Sequence, residues 1–168
     1  MRWLSTKRSI IITATILAAI TAASFVVWFI PQNKSSTLVV SDYKSHLESI
    51  RERHIAIINE TENDFKELLS SKISPDDFIT RADASSSQIN SLIIEMIESR
   101  PLQEWHERYS NYGEALKSYN SYLREAVIVA NKMKDGIPLE NLQENLLRLE
   151  NLKKESESFS LKSYETKP

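Results

Sequence analysis

The chain has 168 residues, of which 41% are hydrophobic and 26% are charged, and its formal net charge is −2. Only two glycines disfavour a sheet with many tight turns, and the lack of cysteine excludes disulfides, cysteine-ligated metal clusters and thiol catalysis. Residues 1–30 hold three of the 21 basic residues and no acid, which leaves 18 basic against 23 acidic residues. We expect no nucleic-acid partner for this mildly acidic remainder, because phosphate neutralisation supplies most of such affinity.

An uninterrupted apolar segment, residues 10–30, follows the short basic N-terminus. It contains no charged residue, and at about 1.5 Å per residue it reaches roughly 30 Å, the thickness of a bilayer's hydrocarbon core. The segment therefore predicts a single transmembrane helix that binds the chain to the lipid bilayer. Three basic residues precede it, whereas the linker at 31–37 has only Lys34, so the positive-inside rule predicts a cytoplasmic N-terminus at 1–9 and an extracytoplasmic C-terminal domain.

Cleavage of this segment as a signal peptide is the main alternative. Ala22 and Ser24 offer a cleavage site, but the apolar run is longer than an ordinary signal sequence, and we expect it to remain as an anchor. A third alternative is a pilin-like cut within the basic N-terminus, which would leave the apolar helix in place. Candidate N-glycosylation sites at Asn33 and Asn59 are compatible with an external domain.

Residues 38–160 repeat apolar side chains at intervals of three and four, which is typical of helices that pack along one seam. Three interruptions divide this repeat. The first, at residues 73–77, places Ser, Pro and Asp at the capping positions of a new helix. The second, at residues 100–101, contains a proline that predicts a turn, or alternatively a kink. The third, at residues 136–138, contains a Gly and a Pro that terminate the preceding helix. The predicted helices are A at about 38–72, B at 75–99, C at 101–135 and D at 138–158, with a flexible tail at 161–168.

Short connections between these helices force neighbours to run antiparallel. The predicted fold class is therefore all-α, with one N-terminal transmembrane helix followed by an antiparallel, coiled-coil-like, up-down four-helix bundle at 38–160. We expect burial of apolar side chains to be its main stabilising contribution. The alternatives are a three-helix arrangement with a loosely docked helix D, and an extended coiled coil completed by a second chain.

An aromatic stripe on helix C is the candidate ligand or partner surface. The ordinary interpretation is packing in the core, and the sharper one is a groove that binds a small apolar ligand or a partner helix. Gly113 lies beside the stripe and indicates either close approach of another helix or a distortion near a pocket, since glycine inside a helix costs about 1 kcal/mol. On the ligand hypothesis, Tyr112→Ala should abolish binding without unfolding the domain. The candidate residues are Trp105, Tyr109, Tyr112, Gly113 and Tyr119.

Catalytic and metal-binding motifs are missing from the sequence. None of the three histidines follows an acid by three residues, so the Glu-x-x-His pair of di-iron bundles is absent, and His54 is predicted to be an interior residue. The sequence also lacks a Gly-rich phosphate loop, HExxH and G-x-S-x-G. We therefore expect no enzyme activity, no catalytic residue, no cofactor and no metal.

Two segments of helix C carry a resemblance. The sequence Tyr-Gly-Glu-Ala-Leu-Lys-Ser-Tyr-Asn-Ser-Tyr-Leu at 112–123, with Val-Ala-Asn-Lys-Met-Lys-Asp-Gly at 129–136, is similar to parts of uncharacterised, single-pass, membrane-anchored helical proteins of ammonia-oxidising archaea. This resemblance implies an anchored helical protein and no functional residue. The architecture alone also resembles extracytoplasmic four-helix sensor domains, from which the chain departs by lacking a second span and a cytoplasmic signalling module.

These features together predict a membrane-anchored, non-catalytic interaction or scaffold protein with a protein partner or a homo-oligomer. The alternative prediction is an extracytoplasmic ligand-binding or sensory domain that works with a partner membrane protein.

Overall fold

The computed structural model of the chain describes residues 40–166, and within them every regular element is helical. The elements are α1 (Tyr43–Leu69), α2 (Pro75–Glu98), α3 (Gln103–Lys134), a 3₁₀ turn (Leu139–Leu142) and α4 (Gln143–Glu165). The predicted all-α class with four helices in the domain is confirmed.

Several predictions fall outside residues 40–166. They are the cytoplasmic segment at 1–9, the transmembrane helix at 10–30, the linker at 31–37 and the glycosylation site at Asn33. Among the helices of the described part, none is long and apolar enough to cross a membrane.

Local capping fixes the beginnings of α1 and α2. The Asp42 carboxylate accepts hydrogen bonds from the backbone N–H groups of Lys44 at 2.9 Å and Ser45 at 3.2 Å, so α1 begins at Tyr43 rather than near residue 38. The Ser74 hydroxyl accepts from the backbone N–H of Asp77 at 3.1 Å, with proline in the first turn of α2. This second helix start is the one that the sequence predicted.

The turn between α2 and α3 adopts a conformation that continues neither helix. Arg100 has φ 43°, in the left-handed region that interrupts an α-helix, and Pro101 follows it. Residues 100–101 therefore form a turn and not a kink. Gly136 has φ 79° and lies two residues beyond the last residue of α3, where it stops the helix as the sequence predicted.

Helix α4 extends beyond its predicted end, and the prediction of a flexible tail is wrong for residues 161–165. The Ser163 side chain is fully buried, where its hydroxyl donates to the Arg108 backbone carbonyl at 2.8 Å and accepts from the Arg51 guanidinium at 2.9 Å. Hydrogen bonds to α3 and α1 therefore hold the last turn of α4 in place. The predicted α-helical start at residue 138 is also wrong, because residues 139–142 form a 3₁₀ turn.

The helices run up, down, up and down, and α3 lies at the centre of the arrangement. It packs along α2 on one side and along α4 on the other, whereas α1 packs mainly against α2. Hydrogen bonds connect the antiparallel neighbours. Arg81 of α2 donates to Asp64 of α1 at 2.7 Å, and Ser86 of α2 donates to Asn120 of α3 at 2.6 Å. The Ser156 hydroxyl of α4 donates to the Ala115 backbone carbonyl of α3 at 2.8 Å.

The core lies along the seam that the spacing of three and four predicted. Its largest buried side chains include Phe78, Ile50, Ile89, Leu116 and Leu123, each at most 1% exposed. Complete burial of such a side chain stabilises the fold by about 1.5–3 kcal/mol, which exceeds the contribution of an exposed ion pair.

Helices α1 and α4 approach each other less closely than the other neighbours do. Long side chains join them, as in the 2.6 Å ion pair between Lys153 and Glu62. This wider spacing leaves a groove on that side of the bundle.

Candidate functional site

The aromatic stripe of α3 lies almost entirely inside the bundle. Tyr109, Tyr112 and Tyr119 are 4%, 1% and 1% exposed, and Trp105 is half-buried. The ordinary interpretation of the stripe, core packing, therefore applies to the three tyrosines. They cannot form an open ligand surface by themselves.

The phenol groups of Tyr109 and Tyr112 form hydrogen bonds with neighbouring polar atoms, whereas the buried Tyr119 hydroxyl has no partner among residues 40–166. Tyr112 Oη lies 3.0 Å from His54 Nδ1, and Tyr109 donates to the Tyr43 carbonyl at 3.0 Å. Burial raises the pKa of all three phenols above the ordinary value of 10. The phenols are therefore neutral at physiological pH, which does not suit them to act as bases or nucleophiles.

Gly113 lies in a groove of about 350 Å³ between the end of α2 and the beginning of α3. Apart from the neighbouring part of α3 itself, a Cβ atom added at Gly113 would meet no atom of the described chain within 4 Å. Close approach of a described helix is therefore not the reason for this glycine, which lines a groove within the uninterrupted helix α3. The groove is lined largely by apolar side chains, among them Ile93, Met96, Ile97, Pro101 and Tyr109.

Replacing Gly113 by alanine is expected to raise the free energy of unfolding by about 0.5–1 kcal/mol, because alanine restricts the unfolded chain and finds open space in the folded one. Gly136→Ala is the matched comparison. It is expected to lower the free energy of unfolding by about 1 kcal/mol, since φ is +79° there. Urea denaturation followed by circular dichroism measures both free energies of unfolding. If Gly113→Ala lowers the free energy of unfolding, the space around Gly113 is not open.

A second and larger groove, of about 650 Å³, lies between α1 and α4, with Tyr112 of α3 among its lining residues. Sequence reasoning did not find it, because the spacing between two helices leaves no local signal in either of them. The α1–α4 groove brings a guanidinium, an imidazole and apolar side chains together. Its lining includes Arg51, His54, Ile55, Ile58, Leu161 and Tyr164.

Arg51 is half-buried beside this groove, and aromatic rings hold its guanidinium. The guanidinium carbon lies 5.1 Å from the centre of the Tyr112 ring and 5.3 Å from that of Tyr164. One nitrogen donates to Ser163 at 2.9 Å, whereas the buried Nε has no partner among residues 40–166. Desolvation, followed by the charge of Arg108 as a smaller contribution, lowers the Arg51 pKa.

His54 occupies the next turn of α1 and is 2% exposed. Its Nδ1 is bonded to the Tyr112 hydroxyl, and its Nε2 has no partner in the described part of the chain. Burial lowers the pKa of His54 to about 4, so the imidazole is neutral at physiological pH. His54 is therefore the interior residue that the sequence predicted, but with one nitrogen left unsatisfied.

The glycosylation candidate Asn59 is exposed on α1, whereas Thr61, the third residue of its sequon, is 2% exposed. A sequon inside a helix departs from the surface loop that such sites prefer. Within residues 40–166, no three histidine, aspartate or glutamate side chains lie close enough together to hold a metal ion.

Comparison of the chain with protein-family models, with curated proteins and with solved structures finds no match. The resemblance to archaeal anchored proteins stays a prediction.

Proposed function

We propose that the chain is a membrane-anchored, non-catalytic interaction protein whose bundle binds an amphipathic helix of a partner protein in the α2–α3 groove. The apolar segment at 10–30 supports the anchor, and the basic residues before it support an extracytoplasmic bundle. Both features come from the sequence.

One observation carries the interaction proposal: three large aliphatic side chains are exposed within nine consecutive residues beside the α2–α3 groove. Ile94, Ile97 and Leu102 are 54%, 68% and 57% exposed, although side chains of this kind stabilise a fold only when they are covered. Ile97 lines the groove, Ile94 lies one helical turn before it, and Leu102 follows Pro101. Exposed apolar surface is typical of interaction sites, and Ile97 places one of these exposed side chains in the groove itself.

A helix is the partner element that fits this groove best. The groove runs between two helices, and Gly113 leaves room at its floor for the backbone or a large side chain of an approaching segment. Arg100 and Lys117 lie at the edge, where Glu114 pairs with Lys117 at 2.7 Å and leaves the edge basic on balance. Acidic residues beside the partner's apolar seam would complement it.

Ile97→Lys is expected to reduce cross-linking of the chain to its partner in native membranes by at least about tenfold, because a charge then replaces a central apolar contact. Leu147→Lys is the matched control, since Leu147 is 58% exposed on α4 and does not line the groove. The control should cross-link as the unmodified chain does. Equal cross-linking of both variants would contradict the proposed site.

The second candidate function is ligand binding or sensing with a partner membrane protein. Arg51 Nε and His54 Nε2, which have no partner in residues 40–166, favour it, because buried polar atoms are normally satisfied and both residues line a groove. A small ligand would raise the melting temperature of the chain, whereas a partner helix docked on the α2–α3 groove requires no small ligand.

A further inference from the structure

We propose that the α1–α4 groove binds an apolar carboxylate, that is, an organic acid with a hydrocarbon body, with its carboxylate on Arg51. This inference deepens the ligand-binding candidate. It is independent of the α2–α3 groove, so either proposal can fail alone.

The first argument is the charge of Arg51. Its guanidinium is stacked between two tyrosine rings, and its nearest hydrogen-bonding partner is the neutral Ser163 hydroxyl at 2.9 Å. A second guanidinium, that of Arg108, lies at the C-terminal end of α4, where it donates to the Ser163 backbone carbonyl at 3.0 Å. No carboxylate is hydrogen-bonded to Arg51 in residues 40–166, although the charge of Glu48 acts on it from the groove rim, so the half-buried guanidinium has hydrogen-bonding capacity left for an anion.

The second argument is the pair of unsatisfied nitrogen atoms. Arg51 and His54 are three residues apart on α1, so their side chains lie on the same face, and both contact Tyr112. Within residues 40–166, the Arg51 Nε–H lacks an acceptor, and so does the neutral His54 ring in the tautomer that carries its proton on Nε2. A carboxylate has two oxygen atoms, so it can accept hydrogen bonds from more than one donor.

The third argument is the apolar surface beyond these donors. Ile55 on α1 and Leu161 on α4 are 55% and 62% exposed, and both line the groove. Its volume of about 650 Å³ lies within the range of about 300–1,000 Å³ typical of small-molecule sites. A hydrocarbon body that lies between α1 and α4 would cover both side chains.

The acidic rim limits which anions can enter. Glu48 and Glu52 on α1 and Glu157 on α4 line the groove and are exposed, where solvent and salt screen their charges. Their repulsion grows with the charge of the ligand, which disfavours phosphates and dicarboxylates. A single carboxylate attached to an apolar body fits this combination.

The test uses the full-length chain in lipid nanodiscs, with hexanoate and hexylamine as probes of matched tail and opposite charge. Isothermal titration with empty nanodiscs subtracted should show binding of hexanoate and not of hexylamine. Arg51→Gln should weaken hexanoate binding by at least about tenfold, since it removes a charged hydrogen-bonding partner. Arg124→Gln, at an exposed position of α3 outside the groove, is the matched control and should bind hexanoate as the unmodified chain does.

Two further variants separate a ligand site from a structural role. Leu161→Asp changes an exposed side chain, so the bundle should keep its melting temperature while hexanoate binding weakens. Glu52→Gln should strengthen binding, because it removes a repelling charge from the rim. The proposal is overturned if the unmodified chain does not bind hexanoate, if Arg51→Gln binds it unchanged, or if hexylamine binds equally well.

Discussion

Replacement of Tyr112 by alanine is expected to lower the free energy of unfolding by about 3–5 kcal/mol, the range found when a large buried aromatic side chain is removed. The ring is 1% exposed, lies edge-on to His54 at 5.8 Å between centroids and supports the Arg51 guanidinium. This burial argues against the sequence-based expectation that Tyr112→Ala would abolish ligand binding without unfolding the domain. Urea denaturation followed by circular dichroism measures the change.

Two comparisons locate the source of this loss. Tyr112→Phe keeps the ring and removes only the hydroxyl that meets His54, so we expect a loss of about 1 kcal/mol. Tyr164→Ala removes a side chain that is 71% exposed, and we expect a change within about 0.5 kcal/mol. A Tyr112→Ala variant as stable as Tyr164→Ala would show that the described core is incorrect.

Acidification is expected to destabilise the bundle through His54. The unfolded chain takes up a proton at His54 near pH 6.5, whereas burial lowers the folded pKa to about 4. Between these two pH values the unfolded state binds more protons, so the free energy of unfolding decreases as the pH falls. The total decrease from this group is roughly 3 kcal/mol, at about 1.4 kcal/mol per pKa unit.

A variant without the imidazole isolates this contribution. In His54→Gln, the free energy of unfolding should be nearly constant from pH 6.5 to about 4.5. Glu95 interferes only at lower pH, because its hydrogen bonds with Arg53 lower the carboxyl pKa below 4.5. If the free energy of unfolding of His54→Gln decreases with falling pH as steeply as that of the unmodified chain, a group other than His54 causes the pH dependence.

Local features of the fold were predictable from the sequence. The Ser74 cap of α2 and the Gly136 stop after α3 depend on a few neighbouring residues, and the structure places both where the sequence did. The seam of α1, with Leu47, Ile50 and Ile57 buried, follows from helical periodicity in the same way.

Features that depend on distant contacts were not predictable. The end of α4 is held by Ser163, whose partners Arg108 and Arg51 lie 55 and 112 residues away in the chain. Periodicity also could not distinguish a stripe that lines a groove from one that fills the core, so Tyr112 and Tyr119 were candidates for a surface. The α1–α4 groove results from the separation of two whole helices, which neither sequence encodes locally.

The most direct test of the proposal that the chain is a membrane-anchored interaction protein is photo-cross-linking from a photoreactive residue at position 97 in native membranes. We predict one dominant product that contains a second protein and fractionates with the membranes, and much less product from position 147. Equal yields from the two positions, a product made only of two copies of this chain, or products confined to the soluble fraction would contradict the proposed function.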